Sequence, residues 1–181
     1  LYKNKPVGTF GDAATFSFYG NKLITTGEGG MILFKDKKHL SKANVLRDHG
    51  MSKNKRYWHD FVGYNYRITN LQAAVGVAQF EKLEKFINRK REIANLYNKN
   101  LSKVDYFQLP VERKNTFNSY WLYTIIISES ASFNREDLII YLSNFGIETR
   151  PIFYPLNEMP PYKKYSYIDY KVSKYLSKNG L

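Results

Sequence analysis

The sequence predicts an α/β unit followed by a small α+β unit. Three observations point there. Residues 14–19 (Ala-Thr-Phe-Ser-Phe-Tyr) and 31–34 are strand-like runs on either side of a loop holding Gly20, Gly27, Gly29 and Gly30. Residues 71–101 carry apolar side chains at helical spacing. Beyond residue 105, short strand-like and helix-like runs alternate over the last 77 or so positions.

The elements follow in order. Residues 14–19 combine β-branched and aromatic side chains, which suit a pleated, half-buried surface. After the second strand, Asp36 reads as the N-cap of a helix reaching about Arg47, with Leu40, Ala43 and Leu46 on one face and Gly50 as its stop. Residues 51–67 have no periodicity and are rich in aromatics (Tyr57, Trp58, Phe61, Tyr64, Tyr66), as functional or interface segments often are. Thr69 and Gln72 have the spacing of a capping box. They open a single long helix over 71–101, with Leu71, Ala74, Val75, Ala78, Leu83, Phe86, Ile87, Ala94 and Tyr97 as its apolar stripe. Heptads are not kept, so the stripe reads as core and not as a coiled coil.

A domain boundary is expected at 104/105. Residues 120–128 then read as a strong strand. Residues 134–145 read as a helix capped by Asn134 and stopped by Gly146. Residues 147–154 read as an edge strand because of Pro151, and a last helix starts near Lys171.

The totals set limits. The chain has 181 residues, 43% hydrophobic and 17% aromatic, enough apolar material for a core. Lys and Arg number 28 and Asp and Glu 16, a net charge of +12. That charge suits nucleic acid or another polyanion, but it is scattered, and acids sit among the lysines at helical spacing. It reads as a solvated surface. With no cysteine, disulfides and thiolate metal sites are excluded. His39, His49 and His59 lack metal-ligand spacing, so no metal is expected. No run approaches the ~18 apolar residues that span a bilayer, and a cytoplasmic protein is the expectation.

The chemistry-bearing stretch is residues 11–30, where a strand delivers Ser17 and Lys22 into the glycine-rich turn. Glycines there let a flat ligand approach the backbone. A lysine shielded in such a turn can form an imine, and a neighbouring hydroxyl can donate to a phosphate. On spacing alone the signal is weak, and an ordinary surface lysine is the better reading of Lys22. Two phosphate-loop patterns fail. No helix opens behind Lys22, and Gly27-Glu28-Gly29-Gly30 leads into a strand.

With those residues in view, the stretch resembles the Schiff-base segment of the DegT/StrS-like aminotransferases, a fold-type I family that uses pyridoxal 5′-phosphate (PLP). Three further segments resemble the same family in the same order. They are Arg47-Asp48-His49-Gly50 with Arg56-Tyr57-Trp58, the run from Gly63 to Ala74, and the run from Gly146 to Leu156. The resemblance implies Lys22 as the Schiff-base lysine, which later moves the proton. It implies Ser17 as a hydrogen-bond donor to the PLP phosphate, and Asn65 reaching the phosphate of a partner subunit's cofactor in a homodimer. Arg67 is implied as a contact for the donor or substrate carboxylate, with a structural ion pair as its other reading. Arg150, Phe153 and Tyr154 resemble a substrate-facing strand.

The implied reaction moves an amino group from an amino acid, glutamate by resemblance, to C4 of a nucleotide-linked keto-deoxy-sugar. The subfamily resembled is the perosamine-synthase type, which serves surface-polysaccharide (O-antigen) biosynthesis. No nucleic-acid or membrane partner is implied. Three rivals remain. Related sugar dehydratases place histidine where Lys22 stands. A truncated pseudo-enzyme would act only through dimerisation. A basic nucleic-acid module has only the net charge behind it.

The family's chains are about twice this length, and their first half carries the carboxylate that pairs with the pyridinium nitrogen. Residues 1–104 therefore read as the later part of a PLP-binding large domain, and 105–181 as a truncated small domain. The isolated 181-residue polypeptide is expected to be inactive and poorly stable. Measurable transamination by the purified polypeptide, in an assay of amino-group transfer to keto-sugars, would refute that.

Overall fold

The computed structural model describes residues 1–181. The chain forms two compact units: 1–90 with 113–121, and 91–112 with 122–181.

In the first unit, β1 (Ala13–Ser17) and β2 (Gly30–Phe34) pair antiparallel, from Ala13 opposite Phe34 to Ser17 opposite Gly30. The pairing runs on past the strands, through Phe18 N–H to the Gly29 carbonyl (2.9 Å) and Thr26 N–H to the Phe18 carbonyl (3.0 Å). Helix α1 (Lys37–Leu46) starts where Asp36 accepts from Lys38 N–H at 2.7 Å, the expected cap. Residues 51–67 are irregular, as anticipated, yet their backbone is tied down. Tyr64 and Tyr66 N–H donate to the Leu46 and Arg47 carbonyls, and His49 N–H donates to Tyr64. Residues 1–5 are tied to 115–117 in the same way, through the Leu1 terminal amine on the Phe117 carbonyl and Lys3 N–H on Asn115.

Thr69 caps α2 (Asn70–Phe80) with a full capping box to Gln72. The single helix expected over 71–101 is instead two: α2 stops at Phe80, and α3 (Leu83–Leu101) begins after a turn. At the turn, Lys82 N–H bonds the Gln79 carbonyl three residues back, so the i→i−4 ladder tightens and breaks. No glycine or proline marks the place. What distinguishes it is Gln79, whose side chain is pulled aside to accept from Thr25 N–H at 2.9 Å.

Helix α2 docks on the loop that follows β1. Besides the Gln79 bond, Gln72 Nε2 donates to the Glu28 carbonyl at 3.1 Å. Between these two lies Gly76, where a Cβ would sit 2.9 Å from the Thr26 methyl. Thr26 is buried, and its hydroxyl donates to the Glu28 carbonyl at 2.7 Å, so that methyl cannot swing away without breaking a bond. Gly76 is thus required by proximity, against the helix's own preference.

The second unit has a small core. Ala94 of α3 is buried, as are Ile125, Ile126 and Ile127. The strand expected over 120–128 shrinks to β4 (Ile126–Ile127), which pairs antiparallel with β3 (Phe107–Gln108). On the other side, Ile125 and Leu181 exchange both backbone bonds at 2.9 Å. Tyr120 has φ +47°, outside the strand region, which is why the run pairs only near its end. Helix α4 (Arg135–Ser143) has the anticipated Asn134 cap, with Asp137 completing a capping box. Residues 147–154 form no strand. Their backbone is tied by Ile152 N–H to the Gly180 carbonyl, and Pro151 has no donor to offer. Helix α5 (Lys171–Asn179) ends against Arg135, whose guanidinium donates to the Ser177 carbonyl. A cation there complements the carbonyl end of the helix. No helix is long and apolar enough to cross a membrane.

The Gly76 contact sets two effects against each other. Gly→Ala inside a helix gains about 1 kcal/mol in propensity, while overpacking costs about 1–3 kcal/mol. Here the obstructing methyl is held, so overpacking wins. Gly76→Ala is expected to destabilise the first unit by about 1 kcal/mol in urea unfolding of the full-length protein. In a Thr26→Ser background, which keeps the hydroxyl and deletes the methyl, the same change is expected to stabilise.

Candidate functional site

Lys22 sits in the tight turn after β1, where its N–H donates to the Tyr19 carbonyl at 3.0 Å. The residues after it are pinned by side chains. Thr25 Oγ1 donates to the Phe18 carbonyl and accepts from Gly27 N–H, both at 2.9 Å. With the two α2 glutamines, these bonds fix the loop from both sides. The Lys22 side chain is half-buried, and its Nζ lies 3.4 Å from the centre of the Trp121 ring. The Trp121 indole N–H in turn donates to the Asn21 carbonyl at 2.8 Å.

Ser17 ends β1 with an exposed side chain. Its Oγ accepts a long 3.4 Å bond from Tyr19 N–H, and its own proton can be donated elsewhere. Asn65 is exposed and its backbone bridges Asp48. Arg67 Nη1 lies 3.0 Å from Asp48 Oδ1. That oxygen is buried and has no aligned hydrogen bond, so the contact is ionic. The structure therefore groups Lys22 with Trp121, and groups Asn65 and Arg67 around Asp48. Of the two readings of Arg67, the ion pair is present, and the half-exposed guanidinium still has donors facing outward.

Arg150, Phe153 and Tyr154 belong to the second unit. Arg150 pairs with Glu148 at 2.7 Å on the surface, and both aromatic rings are exposed. Tyr57 and Trp58 are exposed too, each stacked on by a neighbouring cation, Arg56 and Lys55. A depression of about 590 Å³ lies in the second unit and is lined by Ser128, Asn134, Asp137 and Lys178 among others. It offers no residue of the expected set, and the amine-bearing loop is the better candidate because imine chemistry needs that amine. Two groups in the second unit are moved by their surroundings. The hydrogen bond from Arg135 holds the Glu136 carboxyl below its usual value, and Asp169 raises the Lys174 ammonium.

Trp121 was not among the residues expected at the site. Its sequence position sits inside a strand-like run, 99 residues from Lys22, and no spacing rule joins the two. The pairing of 115–117 with the chain's first residues helps to bring that segment back into the first unit.

Comparison with known proteins places this geometry. A GDP-perosamine synthase of Escherichia coli O157:H7 is 47% identical over 163 residues, covering 90% of this chain and 44% of that protein. A GDP-perosamine synthase of Vibrio cholerae is 48% identical over 159 residues, covering 88% of this chain and 43% of that protein. The chain thus spans a little under half the length of these relatives. Among solved structures, PseC of Helicobacter pylori, an aminotransferase involved in the biosynthesis of pseudoaminic acid, superposes with a TM-score of 0.89 at 26% identity. That match covers 99% of this chain and 49% of that one. The model of the DegT/DnrJ/EryC1/StrS aminotransferases matches residues 1–181. With the whole chain matched and its lysine-bearing loop braced by α2, this chain belongs to the DegT/DnrJ/EryC1/StrS aminotransferase family.

Proposed function

We propose that the protein containing this chain transfers an amino group to a nucleotide-linked keto-sugar with PLP as cofactor. The observation that carries the reading is Lys22. It is a half-buried primary amine at the tip of a loop that side chains hold in one shape. The residues present suit the cofactor. Besides the amine, Ser17 offers a hydroxyl proton at the end of β1. A Cβ at Gly27 would meet no heavy atom within 4 Å, so the backbone there is open to a ligand's approach.

When bound, PLP supplies the electron sink for the carbon being deprotonated. The chain's own residues do the rest. Lys22 Nζ holds the cofactor and, once released, carries the proton from the donor carbon as general base and returns it as general acid. Ser17 donates to the phosphate. Asn65 reaches the phosphate of a second subunit's cofactor in a homodimer. Arg67, held by Asp48, offers its outward N–H groups to the donor carboxylate. Arg150, Phe153 and Tyr154 serve the sugar-nucleotide.

The names of the relatives that are 47% and 48% identical favour a GDP-linked sugar and the perosamine type of reaction. C4 is the proposed position of amination. Glutamate is the proposed donor, and surface-polysaccharide synthesis in the cytoplasm the setting. Residues 1–104 are the proposed share of the cofactor domain, and 105–181 of the small domain. Lys22 disfavours the dehydratase alternative, which needs histidine there. The set of Lys22, Ser17 and Asn65 disfavours a pseudo-enzyme.

In the full-length enzyme, Lys22→Ala is expected to abolish the absorbance band of lysine-bound cofactor and to lower turnover by roughly 10³-fold. A band that persists in this variant, with no amino acid present, sinks the reading. Arg67→Lys removes the guanidinium fork. It is expected to raise KM for glutamate about tenfold while leaving KM for the keto-sugar unchanged in steady-state assays.

A further inference from the structure

We propose that Trp121 is a positioning residue for Lys22: its indole face is the resting place of the amine whenever Lys22 is not bonded to the cofactor. The inference rests on the reading of Lys22 as the Schiff-base lysine. That reading creates the need for such a device. In a two-stage amino transfer the lysine must leave one carbon, shuttle a proton, and return to the same carbon. A lysine side chain has four rotatable bonds. Released without a partner, it would spend most of its time pointing elsewhere.

The geometry meets that need at three points. First, Nζ lies 3.4 Å from the ring centre, well inside the ~6 Å over which a ring face attracts a cation. Second, the indole N–H bonds the carbonyl of Asn21, the residue just before the lysine, at 2.8 Å. The ring is therefore registered to the turn that carries Lys22, and face and amine move together. Third, the backbone around Trp121 is forced into place. Tyr120, buried, sits at φ +47°, a left-handed conformation unfavourable for a tyrosine. Its N–H is held by the Asn118 side chain at 2.9 Å, and the Trp121 carbonyl accepts from Lys90 Nζ at 3.4 Å. Strain of this kind persists only where surrounding contacts over-determine it, and it gathers at working sites.

Three other cation–ring contacts are local. Lys55 over Trp58 spans three residues, and Lys3 over Tyr2 and Lys164 over Tyr165 join immediate neighbours. Chance proximity along a flexible surface explains those. The Lys22–Trp121 contact joins positions 99 apart and needs the fold to exist.

The test uses the full-length enzyme stripped of its cofactor. Acetylation of each lysine by an N-hydroxysuccinimide ester is timed by peptide mass spectrometry. The ring covers the amine against the reagent. Trp121→Leu is therefore expected to acetylate Lys22 roughly fivefold faster while the other lysines keep their rates. Trp121→Phe keeps an aromatic face and loses only the Asn21 bond, so it is expected to recover most of the protection. In the loaded enzyme, Trp121→Leu is expected to lower kcat by a similar factor, leave both KM values unchanged, and be largely rescued by phenylalanine.

Wild-type acetylation of Lys22 in Trp121→Leu overturns the inference. So does equal acceleration in the Leu and Phe variants, or an acceleration shared by every lysine, which would mark general loosening. The labelling needs no transamination, so the two readings fail separately. Loss of the cofactor band in Lys22→Ala together with wild-type labelling in Trp121→Leu sinks only this inference. A band that persists sinks the Schiff-base reading instead.

Discussion

Position 76 of helix α2 has room for a hydrogen and nothing larger, because the Thr26 methyl lies where a Cβ would go. That close approach lets Gln72 and Gln79, one turn to either side, reach the backbone of the loop and satisfy Glu28 and Thr25. A longer separation would leave both amides short of their partners, and polar groups in a half-buried loop are costly when unpaired. The shape of residues 24–30, and with it the direction in which Lys22 leaves the turn, follows from this docking. The break between α2 and α3 belongs to the same constraint, since Gln79 is the residue both at the break and on the loop.

Around this braced loop the apolar surface is left largely uncovered. On β2, Met31, Ile32 and Leu33 are all about half exposed, and on α2 Leu71 is 83% exposed with Val77 and Phe80 well over half exposed. Helix α2 is apolar nearly all round, a pattern otherwise found in helices enclosed on every side. The buried hydrophobic residues are few: Ala94, Tyr120, Ile125, Ile126 and Ile127. The first unit is thus organised more by hydrogen bonds at close range than by a core of its own.

Local polar signals were the most legible part of the sequence. The Asp36 and Asn134 caps and the Thr69 capping box depend on side chains within three residues, and all three formed. Strand length was legible only where a partner exists. The run at 120–128 has strong β propensity, yet propensity cannot supply a neighbour. Residues 125–127 find one, and Tyr120 turns away. Residues 147–154 found two isolated backbone bonds, Ile147 N–H to Leu142 and Ile152 N–H to Gly180, and no ladder. The helix break had no glycine or proline to announce it, because its partner, Thr25, lies 54 residues upstream. Lys22 stood out only through the motif around it. Trp121 was invisible for the same reason as the break, since its meaning is a contact across 99 positions.

One consequence concerns heat. The bonds that hold the Lys22 loop are hydroxyl, amide and backbone bonds, and its apolar side chains, Leu23 and Ile24, are already partly exposed. Heat-capacity changes come mainly from apolar surface meeting water. Local release of this loop should then carry a smaller heat-capacity change than opening of the Ile125–Ile127 core. Its free energy would curve less with temperature than that of a hydrophobic core. The lysine's support would soften steadily on warming while the rest of the fold still sat near its stability maximum. Thermal tolerance of the site and thermal tolerance of the protein are, on this architecture, separate properties.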